Sequence, residues 1–245
     1  MNTIKFNSKN AKVIAHRGLS GIEKQNTCPA FVAAGNKSYF GIETDIHVTK
    51  DNMLIVMHDE NVKHITDGEY DINIEESNYS DVSSILLPDI DGSKIRQDIR
   101  IPLLKEYISI CKKYNKVSVL ELKNHFSVGD LKKVIDEFYS FDYLNSVIFI
   151  SFELENCINL RKLLPVAKIQ YLTFKEITDE TIDALVNNKL DLDAEYYLLT
   201  KEIVDRLHSL GIEVNCWTCD DKEKAEKLAD MGVDYITSNI LEQAN

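Results

Sequence analysis

The stretch KEIVDRLHSLGIEVNCWTCDDKEKAEKLADMGVDYIT, residues 201–237, sets out the repeating unit of this chain. Residues 201–210 read as a helix, Gly211 as its stop, and an apolar run beginning near residue 212 as a strand. The pattern then repeats: a helix over 221–231, Gly232, and a strand-like run beginning near residue 233. Asp220 and Glu223 form a capping-box-like start for the second helix. Strands alternating with helices at this period predict parallel strands joined by crossover helices.

Working outward, further helical segments lie at 153–163 and 178–188. Strand-like runs begin near residues 12, 42, 117, 146, 167, 190, 212 and 233. The intervals are 30, 75, 29, 21, 23, 22 and 21 residues, with one outlier. Eight such units in 245 residues predict a closed (β/α)8 TIM barrel, an α/β fold, as a single domain over 1–245. The outlier holds residues 61–100, rich in Asp, Ser, Asn and charged side chains, with turn signals at Asp67-Gly68 and Asp91-Gly92. This segment reads as an insertion after the second strand, a small subdomain over the carboxyl face of the barrel.

An apolar content of 44% in 245 residues suits one large domain with a substantial core. The net charge of −12, from 40 acidic and 28 basic residues, lacks the cationic surface that nucleic acid requires, so no nucleic-acid partner is expected. A phosphodiester substrate remains compatible, because screening confines surface fields to about 8 Å at physiological salt. No apolar run reaches the roughly 18 residues of a membrane span, so no integral membrane segment is expected. Residues 1–10 show no leader pattern, and five cysteines is an odd count. Both favour a reducing, cytoplasmic setting.

In barrels the chemistry gathers where strands end. The first run, Lys12 to Ala15, ends on His16-Arg17-Gly18. This places a proton-transfer group and an anion fork side by side, before a glycine that permits a sharp exit. In the second run, Glu43 and Asp45 are two residues apart and project from one face. Two acids on one face of a buried sheet are costly without a cation between them, and a hard divalent metal prefers oxygen ligands. His58-Asp59 lies beyond this run. Glu121 and Lys123 end the third run facing the barrel interior, Ser151 ends the fourth, and Trp217 the seventh.

Together with Asn26-Thr27, Ile101-Pro102-Leu103-Leu104, Ser151-Phe152, Val214 to Thr218 and Gly232-Val233-Asp234, these motifs resemble the glycerophosphodiester phosphodiesterase family through nearly the whole chain. The resemblance implies hydrolysis of glycerophosphodiesters to an alcohol and sn-glycerol 3-phosphate, with His16 and His58 as the acid-base pair. It also implies attack by the neighbouring glycerol hydroxyl before water completes the reaction. The carboxylates Glu43, Asp45 and Glu121 supply three anionic oxygens suited to Mg²⁺ or Ca²⁺. Arg17 and Lys123 offer a fork and a point charge to phosphate. Trp217 reads either as a wall for a cationic head group or as core packing. Two alternatives are a lysophospholipase-D-like enzyme and a non-catalytic barrel that binds a phosphorylated ligand.

The remaining features rank lower. His47 shares the face of Glu43 and Asp45, while His64, His125 and His208 read as bystanders and Phe152 as core. Cys216 and Cys219 have redox-motif spacing on a strand end, where residues three apart face opposite ways. The chain also departs from the family pattern. Gln25 stands where a carboxylate is usual, His64 where an arginine is usual, and Tyr70 where a glycine is usual. Thr237-Ser238-Asn239-Ile240 lacks a nearby proline, a change expected to touch the terminal turn rather than the chemistry.

Overall fold

In the computed structural model, which describes residues 2–244, eight parallel strands close on themselves. They are β2 (Lys12–Ala15), β3 (Gly41–Val48), β5 (Val117–Leu122), β6 (Val147–Ser151), β7 (Lys168–Thr173), β8 (Asp191–Glu195), β9 (Val214–Trp217) and β10 (Tyr235–Ser238). Each pairs in parallel with the next, and β10 pairs with β2 to complete the ring. Every strand begins within two residues of the position the sequence predicts. The short strands β1 (Ile4–Phe6) and β11 (Leu241–Gln243) pair beside the barrel and tie the two ends of the chain together.

The helices α5 (Leu154–Leu163), α6 (Asp179–Asn188), α7 (Lys201–Ser209) and α8 (Lys222–Met231) match the predicted segments to within a residue. The cap of α8 differs from expectation. Asp221, not Asp220, accepts the Lys224 amide as N-cap. Asp220 turns away to accept from the Ser238 hydroxyl and from the Asn239 backbone and side chain at 2.6–2.7 Å. Helices α1 (Cys28–Gly35), α3 (Leu104–Tyr114) and α4 (Val128–Ser140) complete the shell.

Two apolar layers follow from the alternation of the strands. One face of each strand packs on the helices through residues such as Phe31, Tyr107, Phe138, Phe149 and Leu160. The other fills the barrel with Ile14, Val119, Ile148, Ile150, Leu172 and Tyr235. Register then decides what reaches the carboxyl end. Asp45 lies opposite Glu121 across the β3–β5 pair, so both acids share the interior face.

The long interval contains β4 (Leu54–Val56), which folds back antiparallel on β3, and the short helix α2 (Tyr79–Val82). The polar composition of 61–100 conceals a second apolar cluster: Val62, Ile65, Ile74, Val82, Ile85, Leu87 and Ile99 pack with Ile55, Met57 and Ile101. The segment is therefore anchored on β4 by buried side chains. Removing its centre would expose their partners to water, at a cost of about 1.5–3 kcal/mol for each large side chain uncovered.

Candidate active site

The chain leaves β2 through a tight turn. Arg17 and Gly18 have φ of 53° and 78°, and Asn26 follows at 55°. A side chain at Gly18 would meet the Ala30 backbone at 2.7 Å in addition to the positive φ, so the position demands glycine. Arg17 holds the same region of φ without that freedom, a cost accepted most often at functional positions. Its amide donates to Glu43 Oε2 at 2.8 Å, and its guanidinium donates to Gln25 Oε1 at 2.8 Å. Gln25, which replaces the usual acid, thus tethers Arg17 and stands outside the carboxylate cluster.

Glu43, Asp45 and Glu121 are all buried, and one oxygen from each lies within 4.8 Å of the others. Burial raises the carboxyl of Glu43 well above its ordinary range, and the neighbouring Asp45 adds to this. Glu121 is raised by burial and by Asp45, against the opposing pull of Lys123. Asp45 runs the other way. Burial would raise it, but Arg17, His58 and Lys123 outweigh burial and hold it below the ordinary range. Arg17 Nε approaches Asp45 at 3.5 Å, and Lys123 Nζ lies 3.7 Å from Asp45 and 2.7 Å from Glu121. Asn26 donates to Asp45 Oδ2 at 2.8 Å and accepts from Thr44, which fixes that carboxylate in place. Asp45 Oδ1 is buried without a hydrogen-bond partner. Three oxygen donors, mutual repulsion and an orphaned oxygen fit a divalent cation.

The two histidines are held alike at one nitrogen and differently at the partner. His16 Nδ1 lies 2.7 Å from Asn239 Oδ1, an acceptor, so that nitrogen carries the proton and Nε2 is left 4.0 Å from Glu43. Burial and Arg17 lower His16 to about 4, partly offset by the Asn239 hydrogen bond. His58 Nδ1 lies 2.6 Å from Asp59 Oδ1, and the other Asp59 oxygen meets His64 at 3.1 Å. Burial lowers His58 as well, and Asp45 opposes that shift. The carboxylate behind His58 supports its charged form, which the amide behind His16 does not do as strongly.

A cavity of about 210 Å³ is lined by His16, Arg17, Glu43, His58, Glu121 and, opposite them, Phe152, Trp217 and Asp193. Lys123 approaches from the Phe152 side, with Nζ 5.9 Å from the ring. His16, Arg17, Glu43, His58, Glu121, Lys123 and Trp217 therefore lie in or beside one pocket, with Asp45 held by Arg17, Asn26 and Lys123, whereas Ser151 turns to the helices, where it meets Leu122, Glu153 and Asn156. Phe152 packs against the interior apolar layer, as the sequence reading has it, and also lines the pocket, edge-on to Trp217 at 5.5 Å. Asn239 is a correction, since the terminal turn reaches His16 directly. His47 is buried beneath the site, where Nε2 donates to the His58 carbonyl at 3.2 Å and Nδ1 meets Glu75 of the insertion at 2.9 Å. His125 is exposed, and His208 pairs with Asp234 on the outside of the barrel. Cys216 and Cys219 are free thiols bonded to separate carbonyls. Asp193, Asn239 and Asp59's link to His64 escaped the sequence reading because nothing in their local spacing announces them.

Residues 16–242 match the glycerophosphoryl diester phosphodiesterase family. The chain belongs to that family. By that membership it is a phosphoric diester hydrolase. A glycerophosphodiester phosphodiesterase of Caldanaerobacter subterraneus subsp. tengcongensis is 30% identical over 232 residues, covering 93% of each protein. The crystal structure of a glycerophosphodiester phosphodiesterase from Parabacteroides distasonis superposes with a TM-score of 0.79 at 27% identity, covering 96% of this chain and 94% of that one. The fold is shared more widely. An Oleispira antarctica phosphodiesterase, solved with its product sn-glycerol-3-phosphate, reaches a TM-score of 0.85 at 22% identity, over 95% of this chain and 94% of its own. Among the described residues, no helix is long and apolar enough to cross a membrane.

Proposed function

We propose that this family member hydrolyses glycerophosphodiesters to an alcohol and sn-glycerol 3-phosphate, with Mg²⁺ or Ca²⁺ at the carboxylates. The observation that carries this reading is the meeting of two side-held histidines, three carboxylates and Arg17 at one pocket. When bound at Glu43, Asp45 and Glu121, a divalent cation supplies positive charge against the charge that develops on the phosphoryl oxygens. Arg17 and Lys123, which pair with Asp45 and Glu121, are the groups free to turn toward phosphate. His16 and His58 both keep Nε2 available, so one removes the proton of the attacking hydroxyl and the other protonates the leaving oxygen. A barrel that only bound a phosphorylated ligand would need no such pair. Release of glycerol 3-phosphate from several glycerophosphodiesters, with and without chelator, tests the reading.

The carboxyl shifts predict how the cation binds. Glu43 and Glu121 hold protons above the ordinary range, Glu121 up to about 8, and a cation must displace them. Affinity is expected to rise with pH through that range, with protons released on binding. Calorimetry in buffers of different ionisation enthalpy reads that number directly. An affinity that is flat from pH 6 to about 8, with no proton release, would place the cation elsewhere.

We further propose that residues 61–100 select the alcohol. An open groove of about 830 Å³ runs beside the site, lined by Lys24 and Gln25 on one side and by Asp67, Asp89 and Gly92 of this segment on the other. Its lining is mixed, with Lys24, Asp67 and Asp89 beside Ile4, Ile90 and Ile240, and the two aspartates offer charge to a small cationic head group. Replacing Asp67 and Asp89 together with Asn is expected to raise KM for a cationic head group several-fold, with kcat little changed. An equal change for neutral and cationic head groups would remove the segment from recognition.

A further inference from the structure

Beneath the carboxylates the barrel carries polar groups that the proposed reaction does not use. Gln170 on β7, Asp193 on β8, Asn215 on β9 and Thr237 on β10 are buried side by side on neighbouring strands. Asn215 Nδ2 donates to Gln170 Oε1 and to Asp193 Oδ2, each at 3.0 Å, and Asn215 Oδ1 accepts from Thr237 Oγ1 at 3.3 Å. Two atoms are left over. Asp193 Oδ1 and Gln170 Nε2 are buried with no hydrogen-bond partner. Orphaned polar atoms are rare in folded interiors because each forgoes its bonds to water.

Asp193 is 2% exposed and lines the cavity that holds His16 and His58. Burial, with Glu121 nearby, raises its carboxyl well above the ordinary range. The wall around it is apolar: Ile150, Phe152, Leu172 and Trp217. A group that completes Asp193 must therefore hydrogen-bond and arrive on a short carbon stem that suits these apolar walls. Its anion must meanwhile stay with Arg17 and the histidines on the opposite wall. A cavity of about 210 Å³ admits such a stem, while the alcohol leaves toward the open groove beside Gln25 and Asn239.

We propose that Asp193 is a specificity-determining residue that receives the terminal hydroxyl of the glycerol moiety, the one farthest from the phosphate. The inference rests on the glycerophosphodiester reading and adds to it a residue outside the catalytic set. It gives a partner to the carboxyl oxygen that this layer leaves unpaired on a residue of the cavity wall. It also predicts discrimination against any diester whose three-carbon unit lacks that hydroxyl.

The test compares a glycerophosphodiester with its analogue built on propane-1,2-diol, which keeps the hydroxyl next to the phosphoester and lacks only the terminal one. The wild-type protein is expected to favour the glycerol compound by at least about tenfold in kcat/KM. In Asp193→Ala that ratio is expected to collapse toward one, and in the near-isosteric Asp193→Asn to fall partway. A wild-type ratio near one overturns the proposal. So does a variant that loses both substrates equally with the ratio intact, since Asp193 would then be structural. Binding of sn-glycerol 3-phosphate against propane-1,2-diol phosphate gives the same ratio without turnover. Selective binding by a protein inert toward every diester would sink the catalytic reading and leave the hydroxyl subsite standing.

Discussion

Replacing His16 or His58 with alanine is expected to lower kcat by about 10²–10⁴ while leaving the affinity for sn-glycerol 3-phosphate nearly unchanged. Each imidazole is locked at Nδ1, by Asn239 or by Asp59, and that lock leaves a single nitrogen for proton transfer. Alanine removes the proton carrier and leaves Arg17, Lys123 and the carboxylates in place to bind the product. The pH profile supplies a second readout. Burial lowers both histidines from 6.5, His16 to about 4, so whichever is required neutral stays neutral well into acid. The acidic limb of kcat/KM is therefore expected below the ordinary histidine range, and a bound cation pushes it further the same way. Coupling between the two groups will broaden the limbs of the bell. Stopped-flow or steady-state assays against a binding titration separate the outcomes. A variant with near-normal turnover would make its histidine a structural one.

Glu43→Gln is expected to separate stability from metal response. In the metal-free protein, Arg17, His58 and Lys123 keep Asp45 ionised, whereas Glu43 and Glu121 are driven to hold protons, Glu121 in spite of its own bond to Lys123. Glutamine keeps the shape of Glu43, and its oxygen can still accept from the Arg17 amide, but it relieves the repulsion. The metal-free variant should melt no lower than metal-free wild type. The sign of the pH dependence follows from the same shifts. Between 4.5 and about 8 the native wild type binds protons that the unfolded chain has released, so its metal-free stability falls as pH rises. The variant lacks the share of that slope owed to Glu43. Wild type gains about 2.7 kcal/mol when the cation stands at 100 times its dissociation constant, and the variant should lose most of that gain together with its activity. If Glu43 were an ordinary structural acid, the variant would be destabilised with and without cation and would respond to it as wild type does. Scanning calorimetry of both proteins, with and without Mg²⁺ or Ca²⁺, distinguishes the two.

Much of the site was legible because strand periodicity does the placing. Once Glu43 and Asp45 sit two apart on a strand and Glu121 ends the next barrel strand, a parallel register brings all three to one interior face. The same logic put His16 at a strand end and Glu121 beside Lys123. What stayed hidden depends on long-range contact. Asn239 reaches His16 across 223 residues of chain, and the ring closure of β10 on β2 is what makes them neighbours. Phe152 reads as core and packs on the interior layer, but that it also walls the pocket depends on its place after β6 at the carboxyl end. The segment 61–100 reads as polar because its apolar residues are spread singly through loops, without the period of a helix or strand, and only folding gathers them on β4.

The sequence by itself thus determined the eight barrel strands, the helices between the later ones, the shared face of Glu43 and Asp45 and the family to which the chain belongs, since all of these follow from local periodicity and spaced motifs. Only the tertiary structure decided which charges neutralise which. Arg17 goes to Asp45 and Lys123 bridges Asp45 and Glu121, Glu43 is left raised beside them, and Asp193 keeps an unpaired oxygen. Those outcomes depend on distances across the closed barrel and on the loss of water within it. Neither is a property of any one stretch of chain.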